Sequence, residues 1–489
     1  MNIEELLGKW NSSPRIFQLT DRLSFSQPQK IHLKNLLGSS SQFVASSVFQ
    51  HPSCNHLNHV FICNDAEDAA YFHNTIESLT QALNVYYFPS SFKSRKNYAL
   101  LNSSHVMLRT EALTKFSSFM GNRAGALVTY PDAVFEKVVV SKIISSNIIN
   151  IKSGDVINTD DLYGKLVDYG FERTDFVYEP GQFAVRGGII DIYSFGNEKP
   201  YRLELFGNDV DSIRIIDPET QLSERRLLQV SIIPNVDSQF SDEEKVSLLD
   251  FLPDNTIIWI QDEDVLTEKL AAANEDLNSF LQQQVGETSS ESDEKYLKRH
   301  AERKDFIIPD HFFESLYKKH VVYFGYQKPL HSVFEIEFNI KEQPAFNRQF
   351  DMLIEDLKAW EKKQFQINLF AENPKQLERL YTIFKDLKEE ISFNPIATAI
   401  HEGFIDEDLK LVCYTDHQIF QRYHKYKVKQ AYNKNKALTL RALRELQPGD
   451  FVTHIDHGVG VYSGLQKIEV NGKMQEAVRI IYKDSDILY

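Results

Sequence analysis

Cysteine is scarce in this chain: 489 residues contain Cys54, Cys63 and Cys413, with no CxxC pair and no even framework of bridges. Thiols so few and so spaced suit a reducing compartment, and a cytoplasmic location is expected. Long apolar runs are missing as well, and the first residues, MNIEELLGKWNSS, carry acids where a secretory leader needs basic residues. Neither a membrane span nor a targeting segment is expected, and no membrane partner. Excess positive charge is also lacking. At a formal net charge of -15 the chain as a whole is unsuited to coating a phosphate backbone, whose binding depends on Lys and Arg, although local basic patches keep that option open.

A further absence bears on chemistry. Nucleotide hydrolysis needs a glycine-rich loop whose amides cradle phosphates and a lysine that reaches the β and γ phosphates. The candidate, IHLKNLLGSSSQFVAS from Ile31, has Gly38 and a serine run but no second glycine and no Lys-Ser or Lys-Thr, and no lysine stands between Lys34 and Lys93. Downstream, TIIWIQDEDV from Thr256 ends in Asp262 and Glu263, where a magnesium-holding carboxylate could sit; without the loop, these read as a strand end. The stretch HPSCNHLNH gathers His51, Cys54, His56 and His59. Structural zinc sites usually pair ligands from two separated segments, so this one reads as a polar loop before a strand. There is no GxSxG elbow and no HExxH helix. No catalytic, cofactor-binding or metal residue is therefore expected.

What is present suits several packed domains. The length exceeds one hydrophobic core and suggests roughly three domains, or four if some are small, and a composition 42% hydrophobic and 25% charged is that of a globular protein. HVFICNDAEDAAYFHNTIESL, from His59, reads as a strand, an Asn/Asp cap and a helix burying Ala69, Phe72, Ile76 and Leu79. FQINLFAENPKQLERLYTIFKDL, from Phe365, repeats the pattern, with Asn373 as cap, Pro374 at the first helical position, and Leu377, Leu380, Ile383 and Phe384 inward. Between these α/β units, YRLELFGNDVDSIRIIDPETQLS alternates apolar and polar residues around a Gly207-Asn208 turn, a hairpin signal. GETSSESDEK, from Gly286, is a solvated loop, and HKYKVKQAYNKNKALTLRALREL, from His424, is a basic, largely helical linker. PGDFVTHIDHGVGVYSGLQKIEVNGKMQEAVRIIYKDSDILY then reads as short strands of a small β-barrel, with a hairpin turn at Asn471-Gly472 and a premature end at Tyr489.

EPGQFAVRGGIIDIYSF, residues 179 to 195, sets one arginine, Arg186, in an apolar strand pattern. Buried, it must pair, with Glu179 or Asp191 in reach; exposed on a sheet face, its planar fork suits a partner's carboxylate. The longer run through RLELFGNDVDSIRIIDPETQLS closely resembles the module shared by the excision-repair damage-verification subunit (UvrB) and the transcription-repair coupling factors. The segment PGDFVTHIDHGVGVYSGLQKIEV resembles the polymerase-binding domain of coupling factors, which verification subunits lack, and LVCYTDHQIFQRYHK, from Leu411, is similar to the segment before it.

The resemblance implies the N-terminal part of a coupling factor, a multidomain α/β protein: a degenerate P-loop-like α/β domain over 1–130 and 218–345 with an inserted β-rich module at 131–217, a small α/β domain at 346–423, a basic linker at 424–446, and a truncated SH3-like barrel at 447–489. It further implies that Arg173 and Arg186 contact the damage-recognition subunit (UvrA), one contact being in doubt where verification subunits have a further arginine and this chain has Ala184. The strand bearing Lys467, Ile468 and Glu469 would pair with the β subunit of RNA polymerase. Family members hydrolyse ATP with magnesium, and contact DNA, through a motor farther along the chain; no cofactor is expected here. Two rivals stand beside this platform reading: an ATP-dependent translocase fragment, and a DNA-binding module using the basic segment after His424.

Overall fold

The computed structural model describes residues 3–81, 84–94, 97–118, 124–197, 199–234, 245–284, 301–330, 334–422, 449–454, 458–470, 473–482 and 486–488. The basic segment at 424–446, the acidic loop from Gly286 and the Asn471-Gly472 turn lie outside these residues.

Seven parallel strands make the largest sheet, in the order Phe334–Glu337, Lys30–Lys34, His320–Tyr323, Thr256–Ile260, Asn58–Ile62, Ala126–Thr129 and Val85–Tyr87. Its central runs, NHVFI and TIIWI, are buried at every position, as expected of parallel strands covered on both faces. The helix Ala66–Leu79 starts where Asp65 accepts the amides of Glu67 and Asp68, and it buries Ala69, Phe72, Ile76 and Leu79, as its spacing predicts.

The chain leaves this sheet after Thr129 and rejoins it at Thr256. In between lies a six-stranded sheet: an antiparallel meander of Gln182–Arg186, Ile189–Tyr193, Tyr201–Phe206, Asp209–Ile216 and Ser223–Leu227, with the short strand Glu172–Arg173 added in parallel at one edge. The antiparallel pair Ile149–Lys152 and Gln229–Ile232 brackets it. The module is therefore drawn at 149–232 rather than 131–217. Helix Pro131–Phe135 and strand Val138–Val139 bury their side chains in the core of the parallel sheet. At the other end SERRL, exposed at four of its five positions, carries no alternation by which the sequence could join it to the meander.

The third sheet runs Ile340–Glu342, Phe404–Asp406, Leu411–Thr415, Gln366–Phe370 and Asn394–Ile396. Its first strand begins before the expected boundary at 346. Alternate residues serve two cores. Leu369, Ile405, Val412 and Tyr414 pack with the helices Phe350–Lys362 and Pro374–Asp386, while Phe370, Phe404, Leu411 and Cys413 join Trp10 and Phe43 in the core of the parallel-sheet domain. Both faces are thus covered, which is why LVCYT reads as an unbroken apolar run. Asn373 caps the second helix as expected, with Leu377, Leu380 and Phe384 buried and Ile383 partly so.

Near the C-terminus, Phe451–His454, Gly458–Val470, Lys473–Ile481 and Ile487–Leu488 form a four-stranded antiparallel meander. Among the described residues, no helix is long and apolar enough to cross a membrane.

Candidate partner-binding sites

Alternation along Gln182–Arg186 turns Phe183 and Val185 toward the module's core, with Ile190, Ile192, Leu203 and Ile213. Gln182, Ala184 and Arg186 consequently face the other side of the sheet. On that side Ala184, Asp191, Arg202 and Arg214 are successive cross-strand partners. The Asp191 side chain is wholly buried and receives two guanidinium groups. Arg202 donates from Nε and Nη2 to its two oxygens at 2.7 and 2.9 Å, and Arg186 donates from Nη2 to Oδ2. These bonds raise Arg202 above the ordinary arginine range. Arg186 also donates from Nη1 to the Asp175 carbonyl at 2.7 Å and lies 4.6 Å above the Phe176 ring. About a third of its side chain, 31%, still faces solvent. The pairing with Asp191 and the exposed sheet face, set out as alternatives from sequence, coexist in one residue.

Ala184 is 1% exposed and packs with Val177, Tyr193 and Ile216 in a small apolar cluster of its own.

Arg173 lies exposed on the edge strand, opposite Phe183 in the parallel register. Partners in a parallel pair share a face, so Arg173 leaves the sheet on the Phe183 side, whereas Arg186 leaves on the Ala184 side. Beside it, burial raises the Tyr163 phenol, and the charge of Arg173 acts against that rise. The two arginines therefore flank the Glu172–Arg173 edge from opposite faces. Sequence reasoning missed Arg202, whose alternation in YRLELF was legible but whose register against Asp191 was not.

In the C-terminal meander, Lys467, Ile468 and Glu469 lie opposite Glu476, Gln475 and Met474. The strand Gly458–Val470 also pairs with Phe451–His454, but only through its first four residues, Gly458 to Val461. Tyr462 still exchanges backbone hydrogen bonds with Gly449 and Asp450; past it, no strand among the described residues pairs with this second edge, the kind of edge that can accept an added strand.

The nucleotide-site candidates have structural partners. Asp262 accepts the amides of Asp264 and Val265 at the start of helix Glu263–Gln284, and Glu263 Oε1 accepts the hydroxyls of Tyr317 and Tyr323 at 2.9 Å each. At the loop after Lys30–Lys34, Gly38 adopts φ +54° and the Ser39 amide donates to the Glu402 carbonyl at 3.0 Å. In the His51 cluster, Trp259 Nε1 donates to His59 Nδ1 at 2.9 Å, and burial holds His59 down at about 3. Burial likewise pushes the Cys54 thiol up to about 11. Among the described residues, no three His, Cys, Asp or Glu side chains gather as a metal site would require.

Comparison with known proteins matches residues 149–237 to the UvrB interaction domain and residues 446–489 to the CarD-like/TRCF RID domain. The transcription-repair-coupling factor of Bacillus subtilis is 25% identical, with 78% of this chain and 38% of that protein aligned. The corresponding factor of Borreliella burgdorferi is also 25% identical, over 76% of this chain and 35% of its own length. That of Staphylococcus haemolyticus is 23% identical, over 78% and 38%. The chain thus spans less than two fifths of the length of these relatives. Both domains thus lie on one chain, and its similarity to transcription-repair-coupling factors runs over about three quarters of its length.

Proposed function

We propose that this region is a recruiting platform linking stalled RNA polymerase to the nucleotide excision repair machinery. The observation that carries the reading is the presence on one chain of a UvrB interaction domain and a CarD-like/TRCF RID domain, joined through α/β domains whose loop at Gly38 lacks the lysine and second glycine of a phosphate site. In this reading the β-rich module binds a UvrA-type damage-recognition subunit through Arg173 and Arg186. The geometry of Arg186 supports such a role: a fork fixed by a carboxylate, a carbonyl and a ring loses little freedom when it meets a partner's acid. The open edge at Lys467, Ile468 and Glu469 would take a strand from the polymerase β subunit. The parallel-sheet domain is read as a degenerate P-loop-like fold, and the C-terminal meander as part of an SH3-like barrel. ATP, magnesium and most DNA contact are assigned to the motor of full-length family members, and the location to the cytoplasm.

The test is co-sedimentation of the chain with purified damage-recognition subunit and RNA polymerase, singly and together. A complex containing all three is expected. Arg173→Ala with Arg186→Ala should remove the first partner alone. Failure of the unaltered chain to hold either partner would overturn the reading.

A further inference from the structure

Open parallel sheets bind ligands in the crevice outside the carboxyl ends of their strands, at helix N-termini that favour negative or carbonyl oxygen. In this chain that crevice receives a peptide from the small α/β domain. The Ser39 amide, one residue before helix Ser40–Gln50, donates to the Glu402 carbonyl at 3.0 Å, and the Glu402 amide donates back to Ser39 Oγ at 3.0 Å. Gly38 admits this approach: a Cβ there would stand 2.6 Å from the Gly403 carbonyl oxygen and 3.3 Å from that of Glu402. On the neighbouring helix, the Tyr71 ring stacks on His401 with centroids 3.5 Å apart and planes within 16°. Burial raises the Glu402 carboxyl, and Glu342 and Asp68 push it the same way.

A second set of contacts fixes the same two domains. Phe404, two residues past Glu402, meets Phe43 at 5.3 Å and Trp10 at 6.0 Å, Phe43 also meets Phe370 at 6.2 Å, and all four rings are buried. At the rim, Arg15 pairs with Asp408 at 2.6 Å.

We propose that the His401–Glu402–Gly403 peptide is a built-in plug of the former nucleotide crevice, latching the small α/β domain to the parallel-sheet domain as one rigid body. Its reciprocal hydrogen bonds engage the amide and hydroxyl of the N-cap residue Ser39, at the place a phosphate would otherwise occupy, so the crevice is closed from within. The latch sets the distance between the point where the β-rich module attaches, at 149 and 232, and the point where the chain leaves the core of the small domain after Phe420. It holds whether or not either partner binds as proposed above.

Native-state hydrogen exchange on the full chain tests the latch. The Ser39 and Glu402 amides should exchange as slowly as those of strands Thr256–Ile260 and Leu411–Thr415, because all would open only when the joint body opens. His401→Ala, which removes the ring on Tyr71 and leaves the backbone free to keep its bonds, should speed both amides roughly tenfold while the two strands stay protected. Gly38→Val should speed them further by driving a side chain against Gly403. Should that variant unfold through its strained φ, His401→Ala alone decides. Fast exchange of Ser39 and Glu402 in the unaltered chain, or unchanged rates in a folded His401→Ala, would overturn the proposal.

Discussion

Arg186 and Arg202 share the buried carboxylate of Asp191, and the sharing separates the consequences of mutating each partner. Arg173→Ala, at an exposed edge, should weaken the damage-recognition subunit roughly thirtyfold, about 2 kcal/mol, with unchanged melting. Arg186→Ala should weaken it similarly but also lower stability by about 1–2 kcal/mol, since Asp191 keeps Arg202. Asp191→Ala should cost about 3 kcal/mol or more, because it strips a half-buried and a mostly buried guanidinium of their acid together. Isothermal titration and thermal denaturation read these in parallel. A second residue-scale effect concerns pH. Burial holds His417 down at about 4, with Nε2 against the His401 carbonyl at 2.6 Å. The native state then binds fewer protons than the unfolded chain, whose histidine titrates at about 6.5. Stability from this group is complete above that value and falls as pH drops toward about 4, at up to about 1.4 kcal/mol per unit. His417→Gln should flatten this acid limb in urea titrations. Little at this scale was legible beforehand. Arg186 stood out by its type among apolar neighbours and Asp191 stood within its reach, but Arg202 joins that carboxylate through a strand register that the connection at 194–200 leaves open, and Phe176 comes from a separate loop.

At the scale of elements the sequence was more explicit. The caps at Asp65 and Asn373, the helices behind them and the hairpin at Gly207-Asn208 follow from side-chain chemistry within a few residues of each feature. The edges of the β-rich module did not, because membership of a sheet is decided by distant pairing and SERRL has no inward side to announce it. Turn glycines offer a direct check. Gly181 sits at φ +82°, and a Cβ there would come within 2.3 Å of the Phe195 ring. Gly181→Ala should destabilise the module by about 2 kcal/mol or more, visible as a lowered melting midpoint, with the parallel-sheet domain intact. For the strand Gly458–Val470, Ile468→Arg should abolish polymerase binding with circular dichroism and melting unchanged if the open edge is the contact. A folded variant of full affinity would remove this strand from the interface.

For the molecule as a whole, the absence of a phosphate loop predicts that ATP with magnesium leaves the melting temperature unmoved, whereas a nucleotide at a hundred times its dissociation constant would add about 2.7 kcal/mol. Differential scanning fluorimetry across nucleotide concentrations decides it. The net charge of -15 predicts weak DNA binding; a log-log salt slope of several units, traced to the basic segment after His424, would favour the DNA-binding reading instead. The two strand-cap-helix units were legible from their side-chain patterns, and the β-rich sheet from the long run around Arg186. The docking of the small domain was not, because Phe404 and Gly403 give no local sign that they pack against Phe43, Trp10 and Gly38, far upstream in the chain.

Ile149 lies directly across from Ile232, so the β-rich module enters and leaves its host through neighbouring strands, like a cassette in a slot. Its own core borrows one residue from the host's helix Ser103–Ser118, Met107. Cutting at those two positions should release a piece that folds unaided, and closing the gap with a few glycines should leave a host that no longer recognises the repair partner yet keeps its other attachments. Such a division lets one surface be exchanged or lost in descent without rebuilding the body that carries it.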